Sequence, residues 1–116
     1  ELVITYIKNL AISKYNLNDI DIKREATSSE RDMIHGIDIT FTINDKECTC
    51  QVKPLKSWKE DASSFIITSS GRIKKYDTDY IAFVSKYKNE VLLFRNKGIS
   101  INGESITISK SNYVTY

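Results

Sequence analysis

The chain has 116 residues, a charged fraction of 28%, a hydrophobic fraction of 41% and a net charge of +2. That length suits one domain around one core, and the composition is that of an ordinary soluble globular protein. So small a net charge excludes a polycation that coats nucleic acid indiscriminately, and apolar runs of about five residues at most are too short for a membrane span.

No basic leader with a cleavage site opens the chain, so a cytoplasmic location is expected. A start at Glu1 rather than Met fits a domain excised from a longer protein. Residues 1–15 are the best helix candidate. Val3, Tyr6, Ile7 and Leu10 recur at helical spacing, and Asn16 and Asn18 supply stop signals. Residues 19–25 alternate weakly and suit a strand, followed by a polar connector from Thr27 to Asp32.

Ile37, Ile39, Phe41 and Ile43 then alternate with Asp38, Thr40 and Thr42, and Cys48, Cys50 and Val52 alternate with Thr49, Gln51 and Lys53. This is the period-two pattern of two half-buried strands, and Asn44-Asp45-Lys46-Glu47 has turn composition. With Asp45 and Lys46 central in the turn, Ile43 faces Cys48, Phe41 faces Cys50 and Ile39 faces Val52. The other face then pairs Thr42 with Thr49, Thr40 with Gln51 and Asp38 with Lys53. Cross-strand neighbours lie ~5 Å apart and diagonal ones ~7–8 Å, so Asp38, Gln51 and Lys53 share one patch. A one-residue slip would mix the apolar and polar faces.

Pro54 is expected to end the second strand, because proline gives no N–H to a ladder. Residues 55–64 read as irregular or briefly helical, and a second helix is expected between Leu55 and Tyr76. Ser64 to Thr68 fits a buried strand or a helical turn. Strands follow at Tyr80–Ser85, Val91–Phe94 and Ser105–Ser109, with Asn102-Gly103 marking a hairpin turn after Ile99–Ile101. Cys48 and Cys50, two apart on one strand, are poorly placed for a disulfide. One histidine does not complete a zinc site with them, so they read as buried apolar thiols.

A carboxylate, an amide oxygen and a lysine on one sheet face suit metal-assisted phosphodiester hydrolysis. Magnesium takes oxygen ligands, usually with only one or two carboxylates. Asp38 supplies charge, Gln51 an amide oxygen and Val52 a carbonyl, while Lys53 orients the attacking water or offsets charge on the phosphate. Asp38, twelve residues, then Gln51-Val52-Lys53 resembles the signature of the PD-(D/E)XK nucleases, in the variant with glutamine for the second acid. Gly36-Ile37-Asp38 and Cys50-Gln51-Val52-Lys53 carry the same likeness. The segment from Glu1 to Ile7 is similar to the first helix of resolvase-like members, whose glutamate joins the metal site. Asp79 to Val84 is similar to the strand after the family's second helix. The proline of the family's name is absent, with Ile37 standing before Asp38.

The resemblance implies an α/β restriction-endonuclease-like core, a mixed central sheet flanked by helices in αβββαβ order, with extra C-terminal strands. It implies a metal-dependent endonuclease acting on DNA, with RNA as a further substrate, using Mg²⁺ or Mn²⁺. Asp38, Gln51, Val52 and Glu1 are the expected metal ligands, and Asp38, Gln51 and Lys53 the catalytic set. A homodimer would supply two sites for duplex cleavage. Lys56, Arg72, Lys74 and Lys75 are candidate phosphate contacts, with Trp58 or Tyr76 available for base stacking. His35, Glu30 and Asp32 lie near the site in sequence but read more simply as loop and capping residues. The alternative is a nuclease-fold module of a phage or mobile-element protein that has lost catalysis and binds nucleic acid or a protein partner. The neutral Gln51 favours it.

Overall fold

The computed structural model describes residues 5, 6, 9, 21–24, 38–43, 46–71, 73–75, 77–85, 88 and 90–114. Among these residues eight strands run in chain order: β1 (Asp21–Arg24), β2 (Ile39–Ile43), β3 (Lys46–Glu60), β4 (Ser64–Ser69), β5 (Tyr80–Ser85), β6 (Glu90–Arg95), β7 (Ser100–Asn102) and β8 (Ser105–Ser109). A 3-10 turn over Lys110–Asn112 follows.

Strand β3 belongs to two sheets. Its first half pairs antiparallel with β2 and parallel with β5, giving the order β1-β2-β3-β5-β6. Its second half pairs with β4, which continues through β8 to β7, all antiparallel. The long strand therefore carries the chain from one sheet into another that folds over it.

Each face of the first sheet has its own core. Ile39, Phe41, Cys48, Cys50, Ala82, Val91, Leu93 and Val114 form one cluster, onto which the helical residue Tyr6 packs. The Tyr6 hydroxyl donates to the Val114 carbonyl at 3.0 Å. Ile81, Phe83, Leu92 and Phe94 on the opposite face meet Phe65, Ile67, Ile106 and Ile108 of the second sheet. Phe94 is the hub of that layer, with ring centroids 5.1 Å from Phe65, 5.2 Å from Tyr113 and 6.2 Å from Phe83.

The expected α/β arrangement of a sheet flanked by helices, in αβββαβ order, is not what the chain adopts. Strands dominate a mixed sheet, and no helix among the described residues reaches seven residues. The reason lies in what covers the apolar face of β5 and β6: the second sheet does so, where a helical layer was expected. No second helix forms among the described residues between Leu55 and Tyr76, because 46–60 is one continuous strand and Ser64–Ser69 another. Burial alternates along β4, with Phe65, Ile67 and Ser69 inward, so its short apolar run is a strand. The candidate helix over 1–15 lies outside the described residues except Thr5, Tyr6 and Asn9, which are helical.

Pro54 does not end β3. The β2 ladder stops at Ile39↔Cys50, and the backbone groups of Cys50 and Val52 face that edge. Two residues on, strand parity turns the missing N–H of Pro54 toward the edge β2 has already left, where it forfeits no ladder bond. The Pro54 carbonyl accepts from the Ser69 hydroxyl at 2.7 Å, tying the two sheets together at the crossover. Strands Tyr80–Ser85 and Ser105–Ser109 stand where the pattern predicts them. The β7–β8 turn holds Gly103 at φ +62°, the left-handed region glycine enters without strain.

Candidate active site

The polar face of the β2–β3 hairpin forms as its alternation requires, but the register differs from the expected one by two residues. Ile39 pairs with Cys50, Phe41 with Cys48 and Thr40 with Thr49. A two-residue shift keeps every side chain on its face, so Ile39 and Phe41 still meet cysteines while Ile43 now stands opposite Lys46. What changes is the partner of Asp38, which now stands level with Gln51, with Lys53 on the diagonal. The turn residues 44 and 45 lie outside the described residues.

Asp38 sits where β2 enters the sheet. Its N–H donates to the Cys50 carbonyl at 3.0 Å, and its Oδ2 accepts from the Val52 N–H at 2.9 Å. The side chain thereby supplies the acceptor that β2 no longer provides to β3. Asp79 does the same at the start of β5: its Oδ2 accepts from the Thr49 N–H at 2.9 Å and from Thr49 Oγ1 at 3.2 Å, while its own N–H donates to Thr49 Oγ1. Two aspartates thus close the two ladder ends that flank β3. Behind Asp79, burial above all, and then that carboxylate's charge, push the Cys48 thiol pKa up.

Gln51 is buried, at 8% exposure. Its Nε2 donates to the Val52 carbonyl at 3.2 Å, which fixes the amide orientation. Its Oε1 is then a buried acceptor with no hydrogen-bond partner among the described residues. Leaving such an atom unsatisfied costs about 1–3 kcal/mol. Gln51 and Lys53 pair in parallel register with Ile81 and Phe83, so they share the face that the second sheet covers further along. The polar patch is the continuation of that apolar face toward β2. Lys53 is half-buried on it.

Asp38, Gln51 and the Val52 backbone are thus brought together, with Lys53 two residues along the same strand face. The Val52 carbonyl is engaged by the Gln51 amide but keeps a second lone pair. No group of three or more His, Cys, Asp or Glu that could hold a metal occurs among the described residues. The donors present are one carboxylate, one orphaned amide oxygen and one carbonyl, which fit a hard cation that keeps water and phosphate in its other positions. Glu1, Arg72, Glu30, Asp32, His35 and Tyr76 lie outside the described residues. Lys56, Lys74 and Lys75 are exposed. The two connector lysines follow Ile73, whose N–H donates to the Gly103 carbonyl at 3.1 Å. Ser69, bonded to Pro54, reaches the same turn by donating its N–H to the Glu104 carbonyl at 3.0 Å. Ile73 is therefore tied, through the β7–β8 turn and Ser69, to the crossover at Pro54.

Asp79 has no signal in composition or alternation; its place one residue before a strand is the only hint. Among the described residues no helix is long and apolar enough to cross a membrane.

No protein-family model matches the sequence, and no curated protein does. Among solved structures the chain is similar to a bacterial homing endonuclease, I-Ssp6803I, with a TM-score of 0.50 and 15% identity. The match covers 90% of this chain and 70% of that one. At such identity the likeness is one of fold: the chain shares with that endonuclease a strand-rich mixed-sheet fold.

Proposed function

We propose that this domain is a metal-dependent endonuclease of the PD-(D/E)XK type that hydrolyses phosphodiester bonds in DNA. The observation that carries this reading is the buried Oε1 of Gln51, without a hydrogen-bond partner among the described residues and level in register with Asp38. A buried amide oxygen that the described residues leave without a donor is suited to accept a cation or a water held by one. The fold shared with a homing endonuclease supports the same reading.

Asp38 and the Gln51 oxygen would hold Mg²⁺ or Mn²⁺, with the Val52 carbonyl as a further donor. When bound, the metal neutralises charge at the scissile phosphate and lowers the pKa of an attacking water. Asp38 contributes the fixed negative charge that draws the cation in, and the Val52 N–H holds its carboxylate in place. The Lys53 ammonium balances the charge that grows on the phosphate oxygens in the transition state. Gln51, held through its own Nε2, positions a neutral ligand, so the site carries less charge than one with two acids and binds metal more weakly. A homodimer would supply the two sites that duplex cleavage needs.

The test is cleavage of plasmid, single-stranded and branched DNA, and of RNA, with Mg²⁺ or Mn²⁺. Wild type should cut, and EDTA, Asp38→Ala and Lys53→Ala should each abolish cutting. Nucleic acid bound but left intact by wild type under every condition would sink the proposal.

A further inference from the structure

Beyond Pro54, β3 carries a second feature on the face that bears the candidate site. Leu55 pairs with Ser69, but Ser57 already pairs with Thr68, so one extra β3 residue is accommodated in a bulge. A bulge of this kind shifts the inward–outward alternation by one. Before it, odd residues Gln51, Lys53 and Leu55 face the layer between the sheets. After it, Trp58 does, paired with Ile67 and with its ring centroid 5.7 Å from that of Phe65. Without the bulge Trp58 would point to the opposite side of the strand. With it, Lys53 and Trp58 share one face, about 15 Å apart along β3.

Trp58 is 38% exposed, the only large hydrophobic side chain so exposed among the described residues. It is also held. Its Nε1–H donates to Glu90 Oε1 at 3.0 Å, and its ring leans on Phe65. A groove of about 340 Å³ runs beside it, lined by Leu55, Lys56, Ser57, Trp58, Ser85, Lys88 and Glu90. Lys56 and Lys88 are both exposed there, and the Glu90 carboxylate is engaged by the indole. A fixed, partly exposed indole in a groove shared with two exposed ammonium groups matches an unpaired nucleotide: a π-face for the base and positive charge for its phosphates. A paired base is sealed in its stack and offers no face to it.

We propose that this groove takes one unpaired nucleotide of a strand laid along β3, its base on Trp58 and its phosphates against Lys56 and Lys88. The substrate class follows from it: DNA with a single-stranded stretch beside the bond to be cut, such as a frayed, flapped or branched end. The base rest lies about 15 Å from Lys53 along β3, a span of a few nucleotides. The substrate assignment rests on the nuclease reading, whereas the groove itself does not.

Trp58 is the only tryptophan in the chain, so its fluorescence reports this site alone. The test is titration in EDTA, without metal, of the full chain with a decathymidylate strand, the same length of abasic strand, and a ten-base-pair duplex. The thymidylate strand should quench Trp58, and the abasic strand, with the same phosphates, should not. Duplex should bind at least about fivefold more weakly than the single strand. By anisotropy of a labelled strand, Trp58→Ala should weaken binding about 5- to 150-fold, the range expected for loss of one stacked base. Trp58→Phe keeps a ring on Phe65 and should lose less. Quenching equal with abasic strand, equal affinity for duplex, or unchanged affinity in a folded Trp58→Ala would each overturn the proposal. Because no metal is present, a chain that never cuts DNA still passes or fails this test.

Discussion

Replacing Gln51 with methionine separates stability from function at the candidate site. Methionine keeps the length of the side chain and fills the same buried space without a polar end. The substitution removes the Oε1 that has no hydrogen-bond partner among the described residues, relieving about 1–3 kcal/mol of desolvation, and forfeits the Nε2 bond to the Val52 carbonyl, about 0.5–1.5 kcal/mol. The difference is a metal-free protein about 0–2 kcal/mol more stable than wild type. Metal should reverse the order. A cation that binds only the folded wild type at ten times its Kd adds about 1.4 kcal/mol, and the variant should gain almost none of it. Urea unfolding followed by circular dichroism, in EDTA and then in 10 mM Mg²⁺ or Mn²⁺, measures both quantities. Destabilisation of the metal-free variant by more than about 1 kcal/mol would show that Oε1 is satisfied in the native state. The site argument would then lose its main support.

Three further outcomes follow from the geometry. Asp38→Ala should cost about 1–2 kcal/mol through the unpaired Val52 N–H, whereas Asp38→Asn, which keeps an acceptor, should cost less; chemical denaturation of both distinguishes a lost ladder cap from a merely exposed charge. Phe94→Ala, at 0% exposure in the midst of three aromatic contacts, should cost about 3–5 kcal/mol in the same assay, and a loss below 1 kcal/mol would contradict the two-sheet core. The Cys48 pKa is raised in the folded protein, chiefly by burial, so the stability tied to its neutral thiol is full below the ordinary thiol value. It is lost as pH rises past about 9. Stability measured between pH 7 and 10 should fall less steeply in Cys48→Ala than in wild type, and parallel profiles would contradict this.

The hairpin was the part of the fold most legible in the chain, because alternation determines which face each residue takes. It does not determine the partner: registers two residues apart satisfy the same pattern, and the turn decides between them. Hence Asp38 was expected opposite Lys53 and stands level with Gln51. The length of β3 was not legible. Lys56 to Glu60 are exposed on both faces, so they show no alternation, and the bulge breaks the period where Leu55 and Trp58 might have revealed it. The expected helices failed for a related reason. An apolar face needs a cover, but nothing in β5 or β6 specifies whether a helix or a second sheet provides it. The three candidate residues stand out in the chain because their types suit one chemistry. Asp79, which repeats the capping role of Asp38 on the other side of β3, does not, since an aspartate before a strand is common in loops.

The central claim is that Asp38 and the Gln51 amide oxygen together hold a divalent cation. Electron paramagnetic titration of Mn²⁺ against wild type, Asp38→Asn and Gln51→Met tests it without reference to any substrate. Wild type should bind a Mn²⁺ that each substitution weakens about tenfold or more. Folded variants that bind Mn²⁺ as wild type does would contradict it.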